Sequence, residues 1–458
     1  MSVVANPFIL AEALLTTNRL GSGRELSHDL KSAIVDFNIY EDITKPYTTA
    51  QVSFADTKDT LSSLDIQGGE YLDIHIKPSS YSGSKGITKR FHVMKIEKGI
   101  RAGENSELVL LNCIDEVGFR SYMKNVNVLL EGSPLQIINR VCNEYLDTDL
   151  IHNEEKFEQI YKLIVPNLTP LQTIAWISRK AITTIGMPHF VFASFADDSM
   201  RYLDLEDMLN FDTLNPNSPF VYGFNASSSK NLYDFGTQTF SIKDYSYTDN
   251  HNIASIIEKG MLNGSHSYYD TMRNKEFVFE FKASSDLFAQ MHEQNLFKSS
   301  QSRVPIAPDM TMDDEKLEEY TSRKVYNIGT SVPWNDGYTA YNERPNYSTY
   351  VNDATNEATR AFMGKDTLNW KFDGKHLGHI QGGVIDGAHM VGKKLKVIFS
   401  KPDPDLVDNT NGMVDLKKSG DYLITSVRHQ MNKESYSIIV NGSKLATLDT
   451  QYMPTGAM

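Results

Sequence analysis

Cysteine is scarce in this chain of 458 residues, and long apolar runs and an excess of positive charge are missing. Only Cys113 and Cys142 are present, too few for a disulfide framework or for a zinc cage. No apolar run approaches the roughly 20 residues that cross a bilayer. The N-terminus lacks the basic start and the cleavage site of a signal peptide. The sequence therefore predicts a protein without a membrane segment that is made in a reducing cytoplasm.

Acidic residues outnumber basic ones, with 58 Asp and Glu against 45 Lys and Arg, and the formal net charge is -13. Binding to phosphate backbones is driven by clustered Lys and Arg, so this balance argues against a protein that grips nucleic acid. It is compatible with a surface past which nucleic acid slides without sticking. Hydrophobic residues make up 40 % of the chain, as in folded proteins, and its length predicts roughly two to four domains.

Short runs of alternating apolar and polar residues fill the region 31–113, separated by Pro46 and by Gly-rich breaks. They predict strands at 33–39, 48–54, 71–76, 89–97 and 107–113. Strands at this spacing are typical of a small antiparallel sandwich or barrel.

Two helices are predicted where the apolar period changes from two to three and four residues. One begins after Ser133 and the other after Thr169, and both starts read [ST]-P-L-Q. Each is a capping box, in which the hydroxyl accepts from the N3 amide and Gln reaches back, with Pro at N1. The two [ST]-P-L-Q motifs are either an internal sequence repeat or two independent helix starts.

The strand pattern returns after Gly186. Further strands are predicted at 189–194, 200–205, 240–247, 254–258, 276–282, 367–372 and 394–399. The stretch 211–229 predicts a linker or an exposed loop, because Asn, Ser and Pro dominate it. The stretch 298–350 predicts a polar excursion that needs a partner to order it, with a short acidic helix at 313–319. A helix is predicted at 352–363.

The segment 420–445 (GDYLITSVRHQMNKESYSIIVNGSKL) predicts a hairpin of two strands joined by a polar turn. In the first strand, the alternation puts Tyr422 and Arg428 on one face and His429 on the other.

No chemical motif in the chain has the residues that its chemistry requires. GAHMVGKK at 387–394 approaches a P-loop, but Lys394 replaces the Ser or Thr that would hold magnesium, and a strand follows instead of a helix. The acidic stretch 401–412 lacks the spacing of calcium ligands. His376 and His379 lie in a stretch that Gly residues interrupt, and no H-E-x-x-H or G-x-S-x-G is present. We predict no catalytic residue, no cofactor-binding residue and no metal ligand.

Four stretches together resemble the baseplate hub proteins of contractile-tailed phages. They are the strand pair in 32–57, the two [ST]-P-L-Q helices, the strand and following segment at 240–260, and the final hairpin with its pattern G-x-Y-x-I-x-x-V-x-H. This family of tail-tube-like double barrels is related to the spike hub of type VI secretion. The resemblance covers most of 31–445. The chain departs from compact hubs mainly through 298–350, and it has no peptidoglycan-cleaving or spike domain of its own.

The resemblance implies an α+β, mainly β fold with two tail-tube-like antiparallel β-barrels and α+β insertions. The first barrel is expected at 1–118, a helical insertion at 119–213, a discontinuous second barrel at 214–262 and 364–458, and a second insertion at 263–363. Three copies are expected to form a ring between the hexameric tail tube and the central spike. Tube or tube-initiator proteins and baseplate wedge proteins are the other implied partners.

Two other functions remain open from the residues. A cell-wall-degrading tail enzyme could hide a carboxylate pair among the 58 acids. An adhesin could use the Tyr-rich stretch 317–350 to bind a carbohydrate. A ring-shaped trimer favours the hub, release of reducing ends from peptidoglycan favours the enzyme, and glycan binding that depends on 317–350 favours the adhesin.

Overall fold

The structure is a computed structural model. It describes residues 8–17, 26–78, 86–97, 101, 106–154, 161–179, 181, 183, 187–214, 220–222, 242–249, 253–258, 260, 262–270, 274–289, 293, 310–329, 370–377, 391–399, 415, 418–432 and 436–444.

The N-terminal region is a run of strands, and all the strands predicted between 31 and 113 are present. They are β1 (Phe8–Thr17), β2 (Leu26–Asp29), β3 (Ile34–Asp42), β4 (Thr49–Asp56), β5 (Tyr71–Pro78), β6 (Ile87–Glu97) and β7 (Glu107–Asp115). A short helix, α1 (Thr60–Ser63), lies between β4 and β5.

A helical insertion follows. Its helices are α2 (Glu116–Tyr122), α3 (Pro134–Val141), which continues as a π-helical turn (Cys142–Leu146), α4 (Pro170–Ser178) and α5 (Leu205–Asn210). Its strands are β8 (Leu129–Gly132), β9 (Leu150–His152), β10 (Tyr161–Ile164), β11 (His189–Ala193) and β12 (Met200–Asp204). Both predicted capping boxes are confirmed, since the Ser133 and Thr169 side chains each accept from the amide of the Gln at N3.

The remaining elements belong to the C-terminal half. The strands are β13 (Phe220–Tyr222), β14 (Ile242–Asp249), β15 (Asn263–Asp270), β16 (Lys275–Lys282), β17 (Thr311–Met312), β18 (Glu315–Lys316), β19 (Arg323–Gly329), β20 (Trp370–Leu377), β21 (Lys394–Phe399), β22 (Gly420–Asn432) and β23 (Tyr436–Lys444). The helical pieces are α6 (Ile253–Glu258), a π-helical turn (Ala283–Phe288) and a 3-10 turn (Leu317–Glu319).

A single sheet joins the N-terminal and C-terminal strands. Among the described residues it has 13 strands, in the order β14-β20-β23-β22-β3-β4-β7-β6-β5-β1-β2, with β21 beside β22 and β13 beside β21. Most pairs are antiparallel, and the fold is α+β and mainly β, as predicted. Of the two hydrophobic clusters, the larger lies under the sheet and includes Phe192, Phe195 and Met208 of the insertion, and the other lies within the insertion around α3 and α4.

The two halves of this sheet repeat one strand order. Strands β3-β4-β7-β6-β5 in the first half correspond to β14-β20-β23-β22-β21 in the second. The register is the same when the halves are aligned: Thr49 faces Ile114, and the corresponding Lys371 faces Ser443. Tyr71 faces His92, and the corresponding Lys394 faces Leu423.

Irregularities in the strands recur at equivalent positions. Strands β3 and β14 bulge between Ile34 and Asp36 and between Ile242 and Asp244. Strands β6 and β22 bulge between Val93 and Lys95 and between Ile424 and Ser426. A bulge inserts one residue and re-aims the strand beyond it, so shared bulges mean that the two halves follow one backbone path.

The turn before β5 is repeated before β21. Gly69 and Gly392 both have a positive φ, 92° and 80°, a conformation that glycine adopts without steric cost. The amide of Gly69 donates to the Val93 carbonyl at 2.7 Å, and the amide of Gly392 donates to the Ile424 carbonyl at 3.0 Å. In both halves the turn is therefore hydrogen-bonded to the same strand position, the residue directly before the bulge.

Several predictions of local structure were wrong. The segment predicted as a strand at 254–258 is α6, because Ile253, Ile256 and Ile257 recur at the three- and four-residue spacing of a helix. The acidic segment 313–319 is not a helix. Asp313 and Asp314 have positive φ at the tip of the β17–β18 hairpin, and only a 3-10 turn follows.

Two predicted loops contain strands. β13 lies within the predicted linker 211–229 and pairs with β21. β19 lies within the predicted excursion 298–350 and pairs with β15. The predicted helix at 352–363 and the predicted loop at 401–412 lie outside the described residues. No helix among the described residues is long and apolar enough to cross a membrane.

Candidate functional site at the strand seam

The seam is the pairing of β22 with β3, which joins the two halves of the sheet. It runs antiparallel from Ser426 opposite Asp42 to Asn432 opposite Asp36. The bulge at Thr425 lies directly before it, and the Thr425 carbonyl accepts from the amide of Ile43 at 2.9 Å. The bulge also corrects the predicted faces of β22: Tyr422 and Ile424 are buried, but so are Val427 and His429 beyond it.

A carboxylate and an imidazole meet on the inner face of the seam. Nε2 of His429 lies 3.1 Å from Oε2 of Glu41, and both side chains are 0% exposed. The backbone amide of Phe195, from the insertion, donates to the other carboxylate oxygen of Glu41. The centroid of the Phe195 ring lies 5.4 Å from the centroid of the imidazole. The two halves of the sheet and the insertion therefore converge on one buried carboxylate.

The hydrogen bonds around Glu41 decide its protonation. Burial alone would raise its pKa, but the hydrogen bond and charge of His429, with the Phe195 amide and the Ser194 hydroxyl, outweigh burial and lower the pKa of Glu41. Glu41 is thus ionised and accepts hydrogen bonds only, so Nε2 of His429 is the donor toward the carboxylate. The pair links the two halves of the sheet, because Glu41 lies on β3 and His429 lies on β22.

A second buried charge ties the insertion to the sheet. Lys89 on β6 is 4% exposed, and its ammonium donates to the carbonyls of Ser194 at 3.1 Å and Asp197 at 2.7 Å. It also lies 3.2 Å from the Asp198 carboxylate. Lys89 and Glu41 thus hold the turn between β11 and β12 at two points, which fixes the insertion against the first half of the sheet.

The outer face of the seam is a row of amide side chains. The register places Gln430, Asn38, Gln51 and Asn112 side by side across β22, β3, β4 and β7. Nε2 of Gln51 donates to Oδ1 of Asn112 at 3.2 Å, and the Tyr40 hydroxyl donates to Gln51 at 3.3 Å. This amide row crosses the seam from β22 into the first half of the sheet; within it Asn38 is buried and donates from Nδ2 to Oδ2 of Asp36 at 2.6 Å.

Arg428 anchors the amide row at the seam. Its Nε donates to Oδ1 of Asn38 at 3.0 Å, and its guanidinium lies 5.6 Å from the centroid of the Tyr40 ring. An open depression of about 410 Å³ lies beside the row, between Tyr40, Met94 and Asn112. None of the described residues that line the depression is charged. The depression can donate and accept hydrogen bonds, but it brings no acid and base together.

The motifs weighed in the sequence do not come together at the seam. Lys394 begins β21, so a strand does follow GAHMVGKK, as predicted. His376 lies on β20, and His379 lies outside the described residues. Within the described part of the chain no group of three or more His, Cys, Asp and Glu side chains is placed to hold a metal ion.

Sequence reasoning missed the buried pair. Its signal was present in β3, where the alternation that buries Phe37 and Ile39 also places Glu41 inward. An acid at an inward strand position predicts a buried partner. The partner lies 388 residues away, and its face depends on the bulge at Thr425, so the sequence did not identify it.

The whole chain is similar in fold to solved tail proteins. No family model matches the sequence, and no curated protein matches it significantly. The tail protein from Neisseria meningitidis MC58 is 12% identical, with a TM-score of 0.50 over 96% of this chain and 97% of that chain. The 43 kDa tail protein of prophage MuSo2 from Shewanella oneidensis is 9% identical, with a TM-score of 0.50 over 96% of this chain and 100% of that chain. Phage tail proteins are thus its structural neighbours, and the predicted resemblance is confirmed at the level of the fold.

Proposed function

We propose that this chain is a structural hub of a contractile phage tail baseplate. Three copies form a ring that joins the hexameric tail tube to the central spike, and the ring is part of the path of the DNA. In this proposal each half of the sheet belongs to one tail-tube-like barrel, with the bounds 1–118 for the first and 214–262 with 364–458 for the second. The segments 119–213 and 263–363 are the insertions.

The repeat in the sheet carries this proposal. The two halves share strand order, register and bulges, and the seam joins them side by side in one chain. A chain with two equivalent units offers six such units when three copies close a ring, which matches a sixfold tube. The likeness in fold to two tail proteins supports the same assignment to a virion tail.

The amide row supports a role as a wall of the DNA path. The amide side chains themselves carry no charge, the Arg428 guanidinium beside them is hydrogen-bonded to Asn38, and the whole chain has a net charge of -13. Attraction to phosphates depends on Lys and Arg and would slow passage. We therefore expect weak, sequence-independent contact with DNA and no specific nucleic-acid partner.

The proposal assigns the chain no catalysis, no cofactor and no membrane partner. Its partners are other copies of itself, tube or tube-initiator proteins, the spike and baseplate wedge proteins. It is expected in the virion tail after synthesis in the host cytoplasm.

Mass measurement and two-dimensional class averages of the purified chain test the proposal, alone and with tube or spike proteins. A ring of three copies with six similar lobes is the expected result. A closed dimer or hexamer in the presence of those partners would contradict it. Hydrolysis of peptidoglycan by a clean preparation, lost on substitution of a single acid, would instead favour a tail enzyme.

A further inference from the structure

The second half of β6 lacks the neighbour that its counterpart in β22 possesses. On the side away from β23, β22 pairs first with β21 up to Leu423 and then, beyond its bulge, with β3. On the side away from β7, β6 pairs with β5 up to His92, and no described strand continues the pairing beyond the bulge at Met94. Among the described strands, the first half of the sheet therefore matches the second except for one neighbour of β6.

Burial of the side chains agrees with a missing neighbour. Val427, just beyond the bulge of β22, is 2% exposed, whereas the corresponding Ile96 on β6 is only partly buried. Met94, the bulge residue of β6, is 43% exposed. The backbone N–H and C=O groups along an open strand edge are a template for pairing with another chain, and exposed apolar side chains beside them favour it.

The repeat identifies the occupant. The strand that fills this place in the seam is β3, and the counterpart of β3 is β14, which ends the strand order of the sheet. The two strands share a bulge and the sequence I-x-D, at Ile34–Asp36 and Ile242–Asp244. In the strand order of one chain six described strands stand between β14 and β6, so the pairing is one that a second copy would provide.

We propose that β6 beyond Met94 pairs with β14 of a second copy, in the register of the internal seam. That register has Arg428 opposite Tyr40 and Val427 opposite Glu41. Translated through the repeat, it puts Glu97 opposite Thr248 and Ile96 opposite Asp249 of the next copy. The contact is head to tail, and such contacts build rings when the rotation closes. This inference rests on the proposed ring, whose subunit contact it defines.

Cross-linking between two single-cysteine variants tests the pairing. Cys113 and Cys142 are buried, and burial raises the pKa of each thiol to about 12, so the native cysteines stay silent toward a thiol-specific reagent. Glu97→Cys is mixed with Thr248→Cys and treated with a short bifunctional thiol reagent. Residues opposite each other across antiparallel strands have Cβ atoms roughly 4.5–5.5 Å apart, within its reach.

The expected product is a covalent dimer that contains one copy of each variant. Neither variant alone should give it, because the contact is head to tail. The matched control mixes Glu97→Cys with Asp249→Cys, which is one residue out of register and on the other face, and should give about tenfold less product. The double variant Tyr40→Cys with Arg428→Cys is the positive control, and it should be bridged within one chain.

The mass of the assembly is also measured in the same samples without reagent. This measurement distinguishes the proposed pairing of β6 with β14 from the proposed ring of three copies. Three copies without the 97–248 product would overturn the pairing of β6 with β14 and leave the trimer standing. The product in a closed assembly with a number of copies other than three would uphold this pairing and overturn the trimer. Folded variants that give no product even in concentrated solution, or equal product with the out-of-register control, would overturn the inference.

Discussion

The two halves of the large sheet have the same backbone but different side chains. Both keep the strand order, the register and the two bulges, yet Val52 of the first half corresponds to Gly374 of the second and Cys113 corresponds to Gly442. A register shift of one residue turns every side chain to the opposite face, whereas an apolar exchange changes only local packing. The comparison shows that strand pairing is the constrained property of this fold and that core composition is the variable one.

Deleting a bulge residue should have the largest effect. Removal of Thr425 moves the strand beyond it by one residue, which turns His429 outward and Arg428 inward along the whole seam. We expect no folded protein, measured as loss of the cooperative thermal transition. Removal of Met94, the matching residue of the first half, shifts only the last residues of β6 and should leave a folded chain. Equal tolerance of both deletions would contradict the role of the seam.

Replacing His429 by Ala should be the next largest change. It leaves the buried Glu41 carboxylate without its partner, which costs about 3–5 kcal/mol of the free energy of unfolding. His429→Gln keeps a side-chain donor and should recover part of this loss. Arg428→Ala, one residue away on the outer face, is the control, and denaturant titration compares the three.

The same pair predicts a dependence on pH. The folded-state pKa of Glu41 is lowered, so its contribution to stability is full above the unfolded pKa of about 4.3 and is lost as the pH falls through the folded value. The difference in unfolding free energy between the wild type and Glu41→Gln should therefore shrink below about pH 4. A difference that grows toward acid would show that Glu41 is protonated in the fold.

Gly442→Ala should have a smaller effect, and it tests how far the two cores differ. An added Cβ would lie 2.9 Å from the Cβ of Tyr422, so overpacking should cost about 1–3 kcal/mol. The other half has Cys113 at this position, and Cys113→Ala, which removes only the sulfur, should cost about 1 kcal/mol. Thermal unfolding of both variants gives the comparison, and a stabilised Gly442→Ala would contradict it.

The smallest effect is expected at the two capping boxes. Ser133→Ala and Thr169→Ala each remove the acceptor for the Gln amide at N3 and should cost about 1 kcal/mol each. Denaturant midpoints measure both. Equal costs would fit two equivalent helix starts, whereas no cost at either would show that tertiary packing alone fixes these helices.

The sequence by itself determined the strands of 31–113, the two capped helices and the final hairpin, because alternation, capping residues and turn residues act over a few neighbouring positions. It did not determine β1, whose residues FILAEALLTT include good helix formers but pair with β5 across the sheet. Strand pairing outweighed local preference there. In α6, by contrast, the three- and four-residue spacing of Ile253, Ile256 and Ile257 agrees with the helix that forms.

Only the tertiary structure decided how the halves meet. The seam joins residues 388 positions apart, and the bulge at Thr425 fixes which face Glu41 and His429 share. A bulge leaves little trace in the alternation of side chains, and a pairing between distant strands depends on the path of all the chain between them. The amide row has the same origin: its four members are unremarkable polar residues on four strands, and only the register makes them neighbours.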